Sequence, residues 1–250
     1  MKFPFARKKK KPPAVPDGVR VYAIGDIHGM SNLLEKLLKK ITKDLKGFEG
    51  RAELVFLGDY VDRGPDSAQV IARLCEGPGP GDTWTFLKGN HDAFLSSTMA
   101  AEKLKERYYR AWVDQGGAEA MMSWGVRRGL IHGDDPEAAV EALKAAMPKA
   151  HRKFFRKLKP SHRIGDYMFV HAGVRPHVPL EEQQEKDLLW IRDDFLDHGK
   201  SFGPHIVHGH TITPDVDGQK HRTGVDTGAY RTGTLTALVL EGTERRAIST

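Results

Sequence analysis

The sequence predicts an α/β protein, and three observations carry that expectation. Short β-rich apolar runs each empty into a glycine-containing motif, and the first two motifs are followed by stretches with helical periodicity. Asp26, Asp59 and Asn90, the chemical centres of the first three motifs, lie 33 and 31 residues apart. That spacing fits a βαβ unit of about 30 residues. After a long charged helical stretch, short strands return from Asp166 onward.

The chain has 250 residues, 39% hydrophobic and 29% charged, which is ordinary for a globular domain. Its net charge of +6 is unevenly placed. Lys2, Arg7, Lys8, Lys9, Lys10 and Lys11 are six of the 39 basic residues, and they leave 33 basic against 33 acidic in the remainder. With Pro12, Pro13 and Pro16 following, residues 1–17 are expected to be a basic, proline-rich disordered tail that can touch polyanions. Residues 18–250 are expected to be one domain. Its neutral balance argues against a nucleic-acid partner. No apolar run approaches the roughly 20 residues of a membrane span. Lys11-Pro12-Pro13 stands where a signal peptide would need apolar residues, and Cys75 is the single cysteine. A cytoplasmic protein is expected.

In order, Val19 to Ile24 reads as a strand that delivers Asp26 and His28 into a loop. Ser31 or Asn32 then caps a helix, with Glu35 completing a capping-box pattern after Asn32. Leu33, Leu34, Leu37, Leu38, Ile41 and Leu45 give this helix one apolar face, and Gly47 ends it. Glu53 to Leu57 is a second strand, and Pro65 opens a helix running through Asp66 to Glu76. Asp82 to Leu87 is a third strand. Ala93 to about Lys159 reads as a helical insertion that either shapes substrate access or covers the sheet. Later strands are expected at Asp166 to Val170, His205 to Val207, Arg222 to Asp226 and Thr234 to Leu240.

Five motifs hold the chemistry: Gly25-Asp26-Ile27-His28-Gly29, Gly58-Asp59-Tyr60-Val61-Asp62-Arg63-Gly64, Gly89-Asn90-His91-Asp92, His171-Ala172-Gly173 and His208-Gly209-His210-Thr211. Asp, Asn and His are oxygen and nitrogen ligands suited to divalent metals. Loops at the carboxyl ends of neighbouring parallel strands converge on one crevice, so distant motifs can meet there. Asp59, the central acid of the longest motif, is the candidate bridge between two ions. Asp26 and His28 can reach one ion, while Asn90, His171 and His210 fill the shell of the other. Two divalent ions, the two aspartates and a bridging hydroxide leave a small positive charge, which Arg63 and a second arginine raise. Such a site attracts phosphate. His91 lies beside Asn90 and can protonate a leaving alkoxide, with Asp62 orienting it.

These motifs resemble the phosphoprotein phosphatase family of metallophosphoesterases, in its bacterial serine/threonine protein phosphatase branch, from about Arg20 to Leu240. The resemblance implies a four-layer sandwich: a central two-sheet β-sandwich flanked by helices, with a helical insertion. It implies two divalent ions, Mn²⁺ first and Fe/Zn-type centres as alternatives. Asp26, His28 and Asp59 would hold one, and Asp59, Asn90, His171 and His210 the other. His91 paired with Asp62 would be the general acid, with Arg63 and Asn90 on the phosphate. Leu188-Leu189-Trp190-Ile191-Arg192 looks like a segment carrying the second phosphate-binding arginine, Arg192. The alternative for Arg192 is a pairing with Asp193 or Asp194. Asp92 stands where many members have Glu, and either positions a loop or contacts substrate.

The expected function is a metal-dependent phosphomonoesterase acting on Ser/Thr phosphoproteins or phosphopeptides by in-line attack of a hydroxide bridging the metals. The alternative is a symmetrical dinucleoside tetraphosphatase using the same dinuclear site. A nonenzymatic scaffold binding through Lys8 to Lys11 is a third reading, opposed by the presence of His91, Asp62 and Arg63. His208 is expected to be structural. Trp84, Trp112, Trp124 and Trp190 are expected in core or cover, and Cys75 as a small apolar residue.

Overall fold

In the computed structural model, which describes residues 11–250, strand β1 (Val19–Ile24) explains the layering by simple alternation. Val21 and Ala23 enter one apolar cluster, whereas Tyr22 and Ile24 enter another on the opposite face. The first sheet has the order β10-β9-β1-β2-β3, with β2 (Arg51–Phe56) and β3 (Thr83–Phe86) parallel to β1. The second has the order β4-β5-β6-β8-β7. It is built from β4 (Ser161–Ile164), β5 (Tyr167–Val170), β6 (His205–His208), β7 (Asp217–Gly218) and β8 (Arg222–Gly224), with β5, β6 and β8 parallel. Within the first sheet, β9 (Thr236–Glu241) pairs antiparallel with β1, and β10 (Glu244–Ser249) pairs antiparallel with β9.

Val21, Ala23, Val55, Leu238 and Leu240 from one sheet meet Tyr167, Phe169 and Val207 from the other in one buried cluster. That contact is the centre of the β-sandwich. Helices α1 (Ser31–Asp44) and α2 (Ser67–Cys75) cover the outer face of the first sheet. Leu33, Leu34, Leu37, Leu38 and Ile41 of α1 are all buried there. Six further helices, α3 (Asn90–Ala100), α4 (Glu106–Trp112), α5 (Ala118–Ser123), α6 (Arg128–Ile131), α7 (Pro136–Ala146) and α8 (Lys149–Arg156), extend that cover. On the second sheet, Leu188 of α9 (Glu185–Trp190) and Phe195 of α10 (Asp193–Leu196) pack with Val170 and Ile206. The four-layer α/β arrangement expected from the sequence is therefore present. No helix of the described residues is long and apolar enough to cross a membrane.

Several local expectations change. The N-cap of α1 is Met30, with no side-chain cap bond; Ser31 Oγ instead donates to Asp66 Oδ2 at 2.8 Å. The Ser31/Asn32 capping box does not form. The helix α2 begins at Ser67, later than the proline suggested. The Asn90 motif is the first turn of α3 and not a loop. Strands β4 and β10 are polar and went unread. Cys75 is exposed, so it is not a buried apolar residue.

The tail expectation, residues 1–17, divides. Residues 1–10 lie outside the described residues. Residues 13–16 are docked: Val15 is buried between the sheets and its N–H donates to Gly242 O at 3.0 Å. Tyr167 Oη donates to Pro13 O at 3.1 Å, and Asp166 N–H donates to Ala14 O at 3.0 Å. The buried Val15 side chain and these hydrogen bonds together hold the segment. Val15→Ala is expected to lower unfolding free energy by about 1.5–3 kcal/mol, read by urea denaturation. An unchanged midpoint would mean that Val15 does not anchor the segment.

Candidate functional site

Strands β1, β2, β3, β5, β6 and β8 all end near one pit, and the residues just beyond them build it. Among the described residues, six non-glycine residues hold positive φ, and five of them are His28, Asp59, Asp62, Arg63 and His210. That left-handed backbone is costly for side-chain-bearing residues and clusters where geometry is over-determined. Two glycines are required by close approach. A Cβ on Gly89 would lie 2.0 Å from Asp59 Oδ1, and one on Gly209 would lie 2.1 Å from Asp26 Oδ1.

The Asp59 carboxylate is the hub. Its Oδ2 lies 3.5 Å from both His28 Nε2 and His171 Nε2, and its Oδ1 accepts the His91 backbone N–H at 2.9 Å. The outer nitrogens of both histidines are occupied: His28 Nδ1 sits 2.9 Å from Val61 O, and His171 Nδ1 sits 2.9 Å from Leu57 O. Donation to those carbonyls leaves each Nε2 as a lone-pair donor facing inward, the arrangement typical of metal-binding imidazoles. Asn90 Oδ1 stands 2.8 Å from His171 Nε2 and 2.9 Å from His210 Nδ1. Two groups of ligand atoms, His28-Asp59-His91 and Asp59-His171-His210, are each close enough to hold an ion. They share Asp59.

Asp26 adds a buried carboxylate whose Oδ2 accepts the His210 N–H at 3.0 Å, while its Oδ1 has no hydrogen-bond partner. His210 Nε2 and Arg63 Nε are likewise buried and unpartnered. Burial, then the neighbouring Asp226 and Asp59, push the Asp26 carboxyl well above its ordinary range. Burial raises Asp59 too, but the four imidazoles around it outweigh that and hold it low. Burial pulls His28 down to about 4 and lowers His171 and His210, which favours the neutral, ligating form. Crowded carboxylates, neutral imidazoles and orphaned inward atoms are a donor set that fits divalent cations.

Beside this cluster, His91 Nδ1 lies 2.7 Å from Asp62 Oδ2, which also accepts Trp112 Nε1–H at 2.9 Å. Burial works against protonation of His91, but the Asp59 and Asp62 carboxylates prevail and raise its pKa. Trp112 thus does more than fill the core. The Arg63 N–H donates to Gly116 O at 3.1 Å, and the Arg63 guanidinium carbon lies 5.0 Å from the Tyr230 ring centroid. The helical insertion therefore both covers the sheet and holds the second motif in place.

Arg192 lines the same pit and its Nη1 donates to Thr211 Oγ1 at 3.3 Å. The pairing with Asp194 is not made, because Asp194 pairs with Arg175 at 3.1 Å. His208 points away, its Nδ1 3.1 Å from Gly209 O and its ring 5.0 Å from Phe195. All the residues singled out from the five motifs, and Arg192, converge. Sequence reasoning missed Asp226 and Tyr230, which line the pit. Burial pushes the Asp226 carboxyl up to about 6. Asp226 lies between Gly224 and Gly228 just after β8, but with no histidine or asparagine beside it.

Asp92 is a positioning residue. Fully buried, it accepts the backbone N–H groups of Asp59 at 2.8 Å, Gly89 at 2.9 Å and Tyr60 at 3.1 Å. It binds the second and third motifs into one unit. Asp92→Asn would turn an amide N–H towards those donors, and a loss of about 1–3 kcal/mol is expected in chemical denaturation, with weaker Mn²⁺ binding by calorimetry. Unchanged stability and metal affinity would remove that role.

The sequence pattern of the calcineurin-like phosphoesterase family matches residues 19–232. A symmetrical bis(5'-nucleosyl)-tetraphosphatase of Acidovorax sp. (strain JS42) is 31% identical over 163 residues, covering 65% of this chain and 47% of that protein. The chain spans about half the length of the tetraphosphatases it matches. Serine/threonine-protein phosphatase 1 of Salmonella typhimurium is 29% identical over 222 residues, covering 86% of this chain and 89% of that one. In fold alone, a crystal structure described as a candidate diadenosine tetraphosphatase is similar, with a TM-score of 0.61 at 22% identity, over 96% of this chain and 98% of that chain.

Proposed function

The chain belongs to the calcineurin-like phosphoesterase family, and on that premise we propose that it is a metal-dependent phosphoesterase that splits dinucleoside tetraphosphates symmetrically. The observation that carries this reading is a site open on two sides. The catalytic pit, about 320 Å³, shares Asn90 and Trp190 with one neighbouring cavity and Arg63, Gln115 and Tyr230 with another. A substrate that extends in both directions from the cleaved bond suits that shape. The similarity to symmetrical tetraphosphatases supports it, and it moves ahead of the protein-phosphatase reading favoured by the sequence.

Asp26, His28 and Asp59 would hold one divalent ion, and Asp59, Asn90, His171 and His210 the other. When bound, such ions stabilise charge on phosphoryl oxygens and supply an acidified water as nucleophile. Arg63 and Arg192 flank the pit and would bind non-bridging phosphate oxygens. Asn90 would add an amide donor to the same phosphate. His91, whose protonated form Asp59 and Asp62 favour, would give its proton to the leaving oxygen. Asp62 and Trp112 fix that imidazole in place.

Dephosphorylation of Ser/Thr phosphoproteins is the second reading. The near full-length similarity to the Salmonella phosphatase supports it. So does the His91–Asp62 pair, because an alkoxide needs a proton more than a departing nucleoside diphosphate does.

Purified protein with Mn²⁺ is expected to convert diadenosine tetraphosphate to ADP alone, to lose this activity with EDTA, and to regain it on Mn²⁺ addition. Asp59→Ala should not regain it. Formation of AMP and ATP, or a higher kcat/KM on a phosphoserine peptide, would overturn the substrate assignment.

His91→Asn is expected to slow hydrolysis of an alkyl phosphate by about 10²-fold or more while slowing p-nitrophenyl phosphate far less. Equal losses on both would remove His91 as the proton donor.

A further inference from the structure

Beside the pit lies a second cavity of about 600 Å³, joined to it through Asn90 and Trp190. Its walls come from α3, α4, the link between them and α9. Phe94 and Trp190 meet edge to face with ring centroids 5.5 Å apart, and Leu104 and Tyr108 extend the apolar surface. Lys103 and Lys105 stand on its wall, and no acidic side chain lines it. Among the described residues, three large hydrophobic side chains are exposed. Tyr108, 60% exposed, and Trp190, 43% exposed, both line this cavity, and Ile212 lines the pit itself. Exposed aromatics gathered at one concave place mark a ligand surface.

We infer that this cavity is a nucleobase subsite, taking the base of a nucleoside polyphosphate whose phosphates run past Lys103 and Lys105 towards Asn90. The inference rests on the dinucleoside reading of the same site. Aromatic faces bind any base by stacking, whereas two lysines on a lining free of acidic side chains favour the adjoining phosphates, Glu102 and Glu106 beside them lying outside the cavity wall. An apolar side chain of a phosphopeptide could use the aromatic wall, but it would leave both lysines without an anionic partner. The charge of the lining therefore favours the nucleotide. Tyr108 makes the subsite testable, because so exposed a side chain can be changed without opening the core.

The experiment compares ADP with inorganic pyrophosphate, which has the same phosphates and no base, binding to the Mn²⁺-loaded full chain by calorimetry. ADP is expected to bind about tenfold or more tightly. Tyr108→Ala should erase most of that advantage, and Tyr108→Phe, which keeps the stacking face, should retain it. ADP should also quench the fluorescence of the wild type and not that of Trp190→Phe. Equal affinity for ADP and pyrophosphate overturns the subsite, as does an ADP advantage that survives Tyr108→Ala. A phosphoserine peptide weakened by Tyr108→Ala, with ADP and pyrophosphate bound alike, would assign the cavity to a peptide. Base-dependent ADP binding without turnover of diadenosine tetraphosphate would sink the proposed function and keep the subsite. Symmetrical turnover with no base dependence would do the reverse.

Discussion

The carboxylate of Asp59, buried and ringed by imidazoles, is the constraint that the rest of the site obeys. An unpaired charge at that depth would be very costly, so its surroundings must compensate it. The His91 N–H satisfies one oxygen, while the other faces the inward lone pairs of His28 and His171 at 3.5 Å, an arrangement that a cation between them would reconcile. Asp92 fixes the Asp59 backbone, Gly89 leaves room for its oxygen, and the positive φ of Asp59 aims it inward. Each of those features is costly alone and makes sense together. The sandwich brings six strand ends to one carboxylate.

Charge explains the next shell. Burial raises both Asp26 and Asp226; Asp226 and Asp59 push Asp26 up further, whereas Asp226 is raised by Asp59 and drawn back by Arg192. Arg63 and Arg192 stand at the rim, beyond the aspartates, where a substrate's phosphate would arrive. The helical insertion contributes Trp112 to Asp62 and the Gly116 carbonyl to Arg63. Peripheral helices thus set the orientation of the proton donor and of one phosphate-facing arginine.

Much of this was legible in the sequence because strand-end motifs carry their own chemistry. Gly-Asp and Gly-Asn pairs following apolar runs mark the side chains that the structure brings together around Asp59. Apolar runs likewise gave β1 and β2, and helical periodicity gave the buried face of α1. What escaped lacked such a signature. Strands β4 and β10 are polar, so only their pairing partners identify them. Val15 sits among prolines, and its anchoring depends on two sheets meeting beneath it. Ser31 fits the sequence rule for a helix cap, but it bonds to Asp66, 35 residues away, a tertiary contact no local pattern encodes. Asp226 carries an acid after a strand without a histidine or asparagine beside it. The role of Asp92 needed three backbone N–H groups to be seen in space.

The central claim is that one buried acid joins two cations. Anomalous difference density from crystals grown with Mn²⁺ tests it most directly. The account predicts two peaks, one on the His28 side of Asp59 and one on the His171 and His210 side, with the carboxylate between them. A single peak, or two peaks that do not share Asp59, would contradict it.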